Sequence, residues 1–186
     1  MAKNILMFAM LALFYLLFWP VPIDPISWKA PSDEGFVGDF KENNRLGALE
    51  FIVLPDTHGP EGLALLDDEI YAATREGWII RFNEKTGGQI KWINTEGSPL
   101  GLVFDASNNL LIADAEKGLL KVTPGGVITV LTRSVDGSNI DYADDLDVTA
   151  DGKIYFSDAS TKFGAQMGGT YAASLLDTME HGGHGR

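Results

Sequence analysis

The sequence predicts an all-β chain of repeated four-stranded units, a propeller type of architecture, set behind one apolar N-terminal helix. Three observations carry this. A short motif recurs at blade-like spacing after residue 58, hairpin-forming residues separate the apolar runs within each repeat, and an uncharged stretch opens the chain. The chain has 186 residues, 21 of them Gly, which favours short strands and many turns over a helical bundle.

The opening stretch comes first. Asn4 to Ile23 holds no charged residue, and Ile5 to Trp19 is apolar throughout. A membrane span needs about 20 apolar residues, so residues 1–23 are read as an uncleaved signal-anchor or transmembrane helix. Lys3 supplies positive charge on the inner side, and Trp19 and Trp28 suit the headgroup level. No Ala-x-Ala cleavage signal follows. The remainder is expected on the periplasmic, extracytoplasmic or lumenal side. Residues 24–48, with their Pro, Asp, Glu and Lys, read as a linker. Residues 49–186 read as the repeat domain, with a strand expected over Leu49 to Leu54.

The repeats align as follows. Gly59-Pro60-Glu61-Gly62-Leu63 is followed by Ile70-Tyr71-Ala72. Ser98-Pro99-Leu100-Gly101-Leu102 is followed by Leu110-Leu111-Ile112-Ala113-Asp114. Tyr142-Ala143-Asp144-Asp145-Leu146 is followed by Ile154-Tyr155-Phe156-Ser157-Asp158. Glu61 and Leu100 are 39 residues apart, and Leu100 and Asp144 are 44 apart. Propeller blades recur at about 40–50 residues. In the second unit, strands are expected at 102–104, 110–113, 119–122 and 127–131. Asn108-Asn109, Lys117-Gly118 and Pro124-Gly125-Gly126 turn the chain between them. The first unit repeats the plan at 78–82 and 89–92. A β-sandwich also offers regular short strands, but the same motif at the same strand start favours blades. Residues 59–186 make roughly three such units, short of the four or more that a closed ring uses. A helical period is visible only at Tyr171 to Met179. On this count the chain is expected to fold poorly alone and to lack robust activity.

Charge and composition exclude several functions. The net charge of -12 opposes nucleic-acid binding, which needs a basic surface. With no cysteine, thiolate metal sites and cysteine nucleophiles are excluded. No Gly-x-Ser-x-Gly elbow is present, and Ser98 and Ser160 have no local base.

Equivalent positions in successive blades lie on one ring about the axis, so Glu61, Leu100 and Asp144 are predicted at matching places on the innermost strands. Two carboxylates converging on a channel suit a hard cation such as Ca²⁺, which takes about 6–8 oxygen ligands. Glu61 and Asp144 are therefore the candidate metal ligands. Turn and strand-end roles are the alternatives for these two. Asp114, Asp145, Asp147 and Asp158 are read as structural, His58 as a loop residue, and His181 and His184 as part of a solvated Gly-rich segment. No catalytic residue is assigned.

These motifs, with Ala113-Asp114-Ala115-Glu116-Lys117-Gly118-Leu119 and Ser157-Asp158-Ala159-Ser160-Thr161-Lys162-Phe163, resemble the calcium-dependent phosphotriesterase superfamily. That group includes gluconolactonases, paraoxonases and strictosidine-synthase-like proteins, some of which begin with a membrane anchor. The likeness covers about residues 49–186. It implies a six-bladed β-propeller, with this chain supplying the N-terminal half. It implies a calcium-dependent hydrolase of lactones or esters acting on a small molecule. The Gly-Pro-Glu-Gly setting of Glu61 matches the family's glutamate ligand. Asp144 stands where lactonases carry Asn, a departure that keeps an oxygen donor and adds charge. A strictosidine-synthase-like amine–aldehyde condensation and a non-catalytic binding scaffold are the alternatives.

Overall fold

The computed structural model describes residues 2–18, 23–24, 29 and 32–181. Helix α1 (Ala2–Phe18) is followed by a short 3-10 turn at Gly38–Phe40 and then by twelve strands and a second helix. Strands β1 (Leu63–Leu66), β2 (Glu69–Ala73), β3 (Trp78–Asn83) and β4 (Gln89–Asn94) form one antiparallel sheet in chain order. Strands β5 (Pro99–Phe104), β6 (Leu110–Asp114), β7 (Gly118–Val122) and β8 (Ile128–Thr132) form a second. A small hairpin of β9 (Ser134–Val135) and β10 (Ser138–Asn139) leads to a third sheet, β11 (Ala143–Val148) with β12 (Ile154–Asp158). Helix α2 (Thr170–His181) follows.

The turns work through the residues expected of them. Asn108, Gly118 and Gly126 all take positive φ, where Asn and Gly carry little penalty. The first strands of the three sheets, β1, β5 and β11, lie side by side. That is radial stacking of blades, not two facing sheets.

The middle blade shows why β6 reads as a continuous apolar run. Successive side chains on a strand point to opposite faces. Leu110 and Ile112 pack toward the first blade with Tyr71, Ala73, Ile79 and Ile93. Leu111 and Ala113 pack toward the third with Ala143 and Leu146. Every residue of β6 is buried. The flanking blades alternate instead: Leu63 and Leu65 on β1 are each 64% exposed, while Ala64 and Leu66 pack inward. At the first interface Tyr71 meets Trp92 and Phe104 edge-on, with ring centroids 5.3 and 4.9 Å away.

Two glycines set the spacing of the blades. A Cβ on Gly62 would lie 1.8 Å from the Leu100 carbonyl oxygen, and one on Gly101 would lie 2.8 Å from the Asp145 Cα. Each follows the ring position of its own blade, where the next inner strand passes closest.

Two expectations are corrected. Residues 1–23 were expected to span a membrane. The described helix covers 17 residues, about 25 Å at 1.5 Å per residue, short of a hydrocarbon layer of about 30 Å. Among the described residues no helix is long and apolar enough to cross a membrane. Residues 19–22, and Trp28 with them, lie outside the described residues. Leu49 to Leu54 was expected as a strand and is irregular instead. Gln89 Nε2 donates to the Val53 carbonyl at 3.1 Å, a side-chain contact in place of a ladder.

Candidate functional site

The site forms where the inner strands begin. Leu63 pairs with Ala72, Leu102 with Ile112 and Leu146 with Phe156, and Glu61, Leu100 and Asp144 each stand two residues earlier. In the second and third blades the register slips at this point, between Pro99 and Leu102 and between Ala143 and Leu146. A bulge of this kind re-aims a side chain and is common beside functional sites. Here it turns Leu100 and Asp144 out of the ladder. In the first blade, Glu61 N–H donates to the Ala73 carbonyl at 3.2 Å before the regular ladder starts.

Glu61 and Asp144, 83 residues apart in sequence, line one cleft of about 290 Å³. Tyr142, Ser174, Asp177 and Thr178 line it with them. Glu61, Tyr142 and Ser174 also face an adjoining cleft of about 250 Å³, which Leu100 and Arg75 share. Leu100 itself is buried against Tyr142, Phe163 and Ala173. It occupies the ring position between the two carboxylates and interrupts the acidic series.

Tyr142 joins the two clefts. Its hydroxyl lies 3.0 Å from Ser174 Oγ and 3.4 Å from the Thr170 carbonyl. Its backbone N–H donates to Asp158 Oδ1 at 2.8 Å. Burial pushes the phenol's pKa up, and the nearby Asp144 and Glu61 carboxylates push the same way against the Ser174 hydrogen bond. The phenol therefore stays protonated at neutral pH. Burial, then the Asp145 carboxylate, raises the pKa of Asp144. A bound cation would act in the opposite sense on that carboxyl.

The remaining acidic residues hold the backbone. Asp114 Oδ1 accepts the N–H groups of Ser98, Glu116 and Lys117, each at 3.0 Å. Asp158 plays a similar part toward Tyr142. Asp145 and Asp147 accept the N–H groups of the residues that follow them, at 2.9 and 2.7 Å. His58 lies in a loop with its Nδ1 2.8 Å from Glu76 Oε1, a bond that holds the Glu76 carboxyl below its ordinary range. His181 ends α2, and His184 lies outside the described residues.

Sequence reasoning missed Tyr142, Ser174, Asp177 and Thr178. Tyr142 was within reach, since it stands two residues before Asp144 at the start of the third repeat. The α2 residues reach the axis only by packing that no local pattern encodes.

Among the described residues, no group of three or more His, Asp or Glu side chains is arranged to hold a metal ion. Glu61 and Asp144 suit a hard cation in kind but supply only part of the oxygen set that calcium takes.

Comparison with known proteins fits this geometry. Residues 38–82 match the family described as strictosidine synthase-like, N-terminal. The chain is 33% identical over 148 residues to strictosidine synthase-like protein 4 of Arabidopsis thaliana, covering 76% of this chain and 38% of that protein. It is 31% identical over 173 residues to the human adipocyte plasma membrane-associated protein, covering 83% of this chain and 40% of that protein. It thus spans about two-fifths of these relatives' length. Among solved structures, a gluconolactonase from Xanthomonas campestris superposes with a TM-score of 0.51 at 20% identity, over 55% of this chain and 36% of that one. A putative gluconolactonase superposes with a TM-score of 0.51 at 15% identity, over 73% and 48%. The chain is related in sequence to the strictosidine synthase-like proteins, and its blades share the fold of these structures.

Proposed function

We propose that this strictosidine synthase-like chain forms part of a membrane-associated hydrolase of lactones or esters, with Glu61 and Asp144 contributing to a divalent-cation site on the propeller axis. One observation carries the reading: two carboxylates far apart in sequence line a single cleft beside a protonated phenol. Calcium bound there would serve as a Lewis acid toward a substrate carbonyl. The chain's own groups do the rest. Glu61 and Asp144 would hold the cation, and Tyr142 would offer its O–H to a substrate oxygen. Ser174, which also lines both clefts, would orient the phenol. Residues 61 and 144 are an incomplete ligand set, so weak binding is expected from this chain alone.

Membrane association would come through α1. Its apolar residues from Ile5 to Phe18 include none of the buried core, and Phe8 is 75% exposed. The named membrane association of the adipocyte relatives supports this reading.

Calorimetric titration with Ca²⁺ tests the cation site. Weak heat and a thermal shift are expected, reduced at least tenfold in affinity by Glu61→Gln and by Asp144→Asn. Absence of both signals in wild type would remove the metal. A panel of γ-lactones and aryl esters, assayed with calcium and with chelator, then tests hydrolysis. A second reading, metal-independent amine–aldehyde condensation, draws on the strictosidine synthase-like match over residues 38–82. It predicts turnover of an amine with an aldehyde that chelator leaves unchanged.

A further inference from the structure

We infer that α2 is a hinged cover over the axial cleft, seated by three polar clasps and able to swing away while the blades stay folded. Its seat uses one helical face. Ser174, Asp177 and Thr178, at positions i, i+3 and i+4, line the cleft that holds Glu61 and Asp144. Ala173 is buried against Leu100, Tyr142, Phe163 and Ala165, and Leu176 packs beside it.

The clasps run along the length of the helix. Near its start, Tyr142 Oη lies 3.0 Å from Ser174 Oγ. In the middle, Ser160 Oγ donates to Asp177 Oδ1 at 3.3 Å. Near its end, Lys162 Nζ donates to both oxygens of Glu180, at 2.8 and 2.7 Å, where Glu180 is only 7% exposed. Tyr142, Ser160 and Lys162 belong to the third blade and the loop after it, and Glu180 Oε2 also accepts the Asp24 N–H at 3.4 Å, so the segment ahead of the blades meets the far end of the helix too.

The entry to the helix is built to turn. Gly168 and Gly169 take φ of +107° and +89°, values that side chains resist, and no atom would meet a Cβ on Gly169 within 4 Å. The buried face is slight, since among the described residues of the helix Ala173 and Glu180 are the two that are buried. On the outer face, Leu175 and Met179 are 48 and 50% exposed, and Tyr171, 71% exposed, edges the adjoining cleft. A helix with few buried apolar contacts belongs to the low-stability end of a fold. When it lifts, the cleft around Tyr142 opens to solvent.

The cover concerns the same cleft as the proposed hydrolysis but stands on packing alone, so its test uses no ligand. Hydrogen–deuterium exchange of the full chain should show α2 amides opening at least tenfold faster than those of β6. Ser174→Ala should speed α2 exchange by about fivefold, the worth of one hydrogen bond, and Ser160→Ala by at least as much, since Ser160 Oγ also accepts the Phe163 N–H at 3.0 Å, with β5 to β8 unchanged. Lys162→Met should do the same, and Lys162→Arg should restore the wild-type rate. Tetranitromethane nitration of Tyr142, mapped by mass spectrometry, should rise by a similar factor in Ser160→Ala and Lys162→Met. A single exchange rate shared by α2 and the strands, no response to these variants, or faster α2 exchange without faster nitration would overturn the proposal.

Discussion

Replacing Gly62 by Ala probes the stacking of the first two blades directly. The backbone of Gly62 does not need the left-handed region, so the substitution adds volume alone. The new Cβ would stand 1.8 Å from the Leu100 carbonyl oxygen, 3.0 Å from its carbon and 3.2 Å from Leu102 Cγ. The first two are backbone atoms, and no rotamer change moves them. One inner strand must retreat by about 1.5 Å to reach ordinary contact. Overpacking typically costs about 1–3 kcal/mol, and the backbone obstruction puts Gly62→Ala at the upper end, about 3 kcal/mol. For a chain of this size the melting temperature should fall by about 6–12 °C. Gly137→Ala is the control: its φ of +83° brings strain, but no atom lies within 4 Å, so about 1 kcal/mol is expected. Thermal unfolding followed by circular dichroism decides. If Gly62→Ala melts within about 2 °C of wild type, or no lower than Gly137→Ala, the inner strands do not lie as close as described.

Further predictions concern the polar and aromatic anchors. Asp114→Ala removes the acceptor of three backbone N–H groups and should cost about 3 kcal/mol in urea unfolding; a change under about 1 kcal/mol would deny Asp114 its structural role. Tyr71→Ala, which empties the contact between Trp92 and Phe104, should cost about 3–5 kcal/mol by the same measure. Asp105 gives a pH dependence. Desolvation pushes its pKa up, but hydrogen bonds from Asn109 and Ser107 outweigh this and leave it lowered. A lowered carboxyl contributes stability that is present above the unfolded pKa of about 3.9 and is lost as pH falls through the folded value. The urea midpoint of wild type should therefore drop more steeply below pH 4 than that of Asp105→Asn, and parallel curves would contradict the assignment.

The repeat and its strands were legible because their determinants are local. Asn108-Asn109 and Gly125-Gly126 are turn residues that end the strands before them, whereas the one-sided cover of 63–66, Leu-Ala-Leu-Leu in sequence, shows only in the fold. The strand bounds expected in the second unit differ by at most three residues from those of β5 to β8. Glu61 and Asp144 could be brought together from periodicity alone, since a constant blade angle fixes their ring positions. The bulges at Leu100 and Asp144 were not legible, because a register slip exists only between two strands. The seat of α2 was hidden too: the Tyr171 to Met179 pattern suggested a helix but not the axial surface it covers. Leu49 to Leu54 misled because a mostly apolar run, here broken by Glu50, makes a strand only where a sheet edge receives it.

The central position of β6 also shapes how stability is spread through the chain. A residue such as Ile112 or Leu111 belongs to one seam, yet its strand carries both, so a deformation of β6 is transmitted to the sheets on either side. β7 reaches both seams as well, through Leu119 on one side and Leu120 and Val122 on the other, whereas β8 adds no residue to either. Opening energies should therefore grade outward from β6, with its amides the last to exchange and the β4 margin and α2 among the first. Drift in sequence is accordingly cheapest at the periphery and most constrained over five residues at the centre.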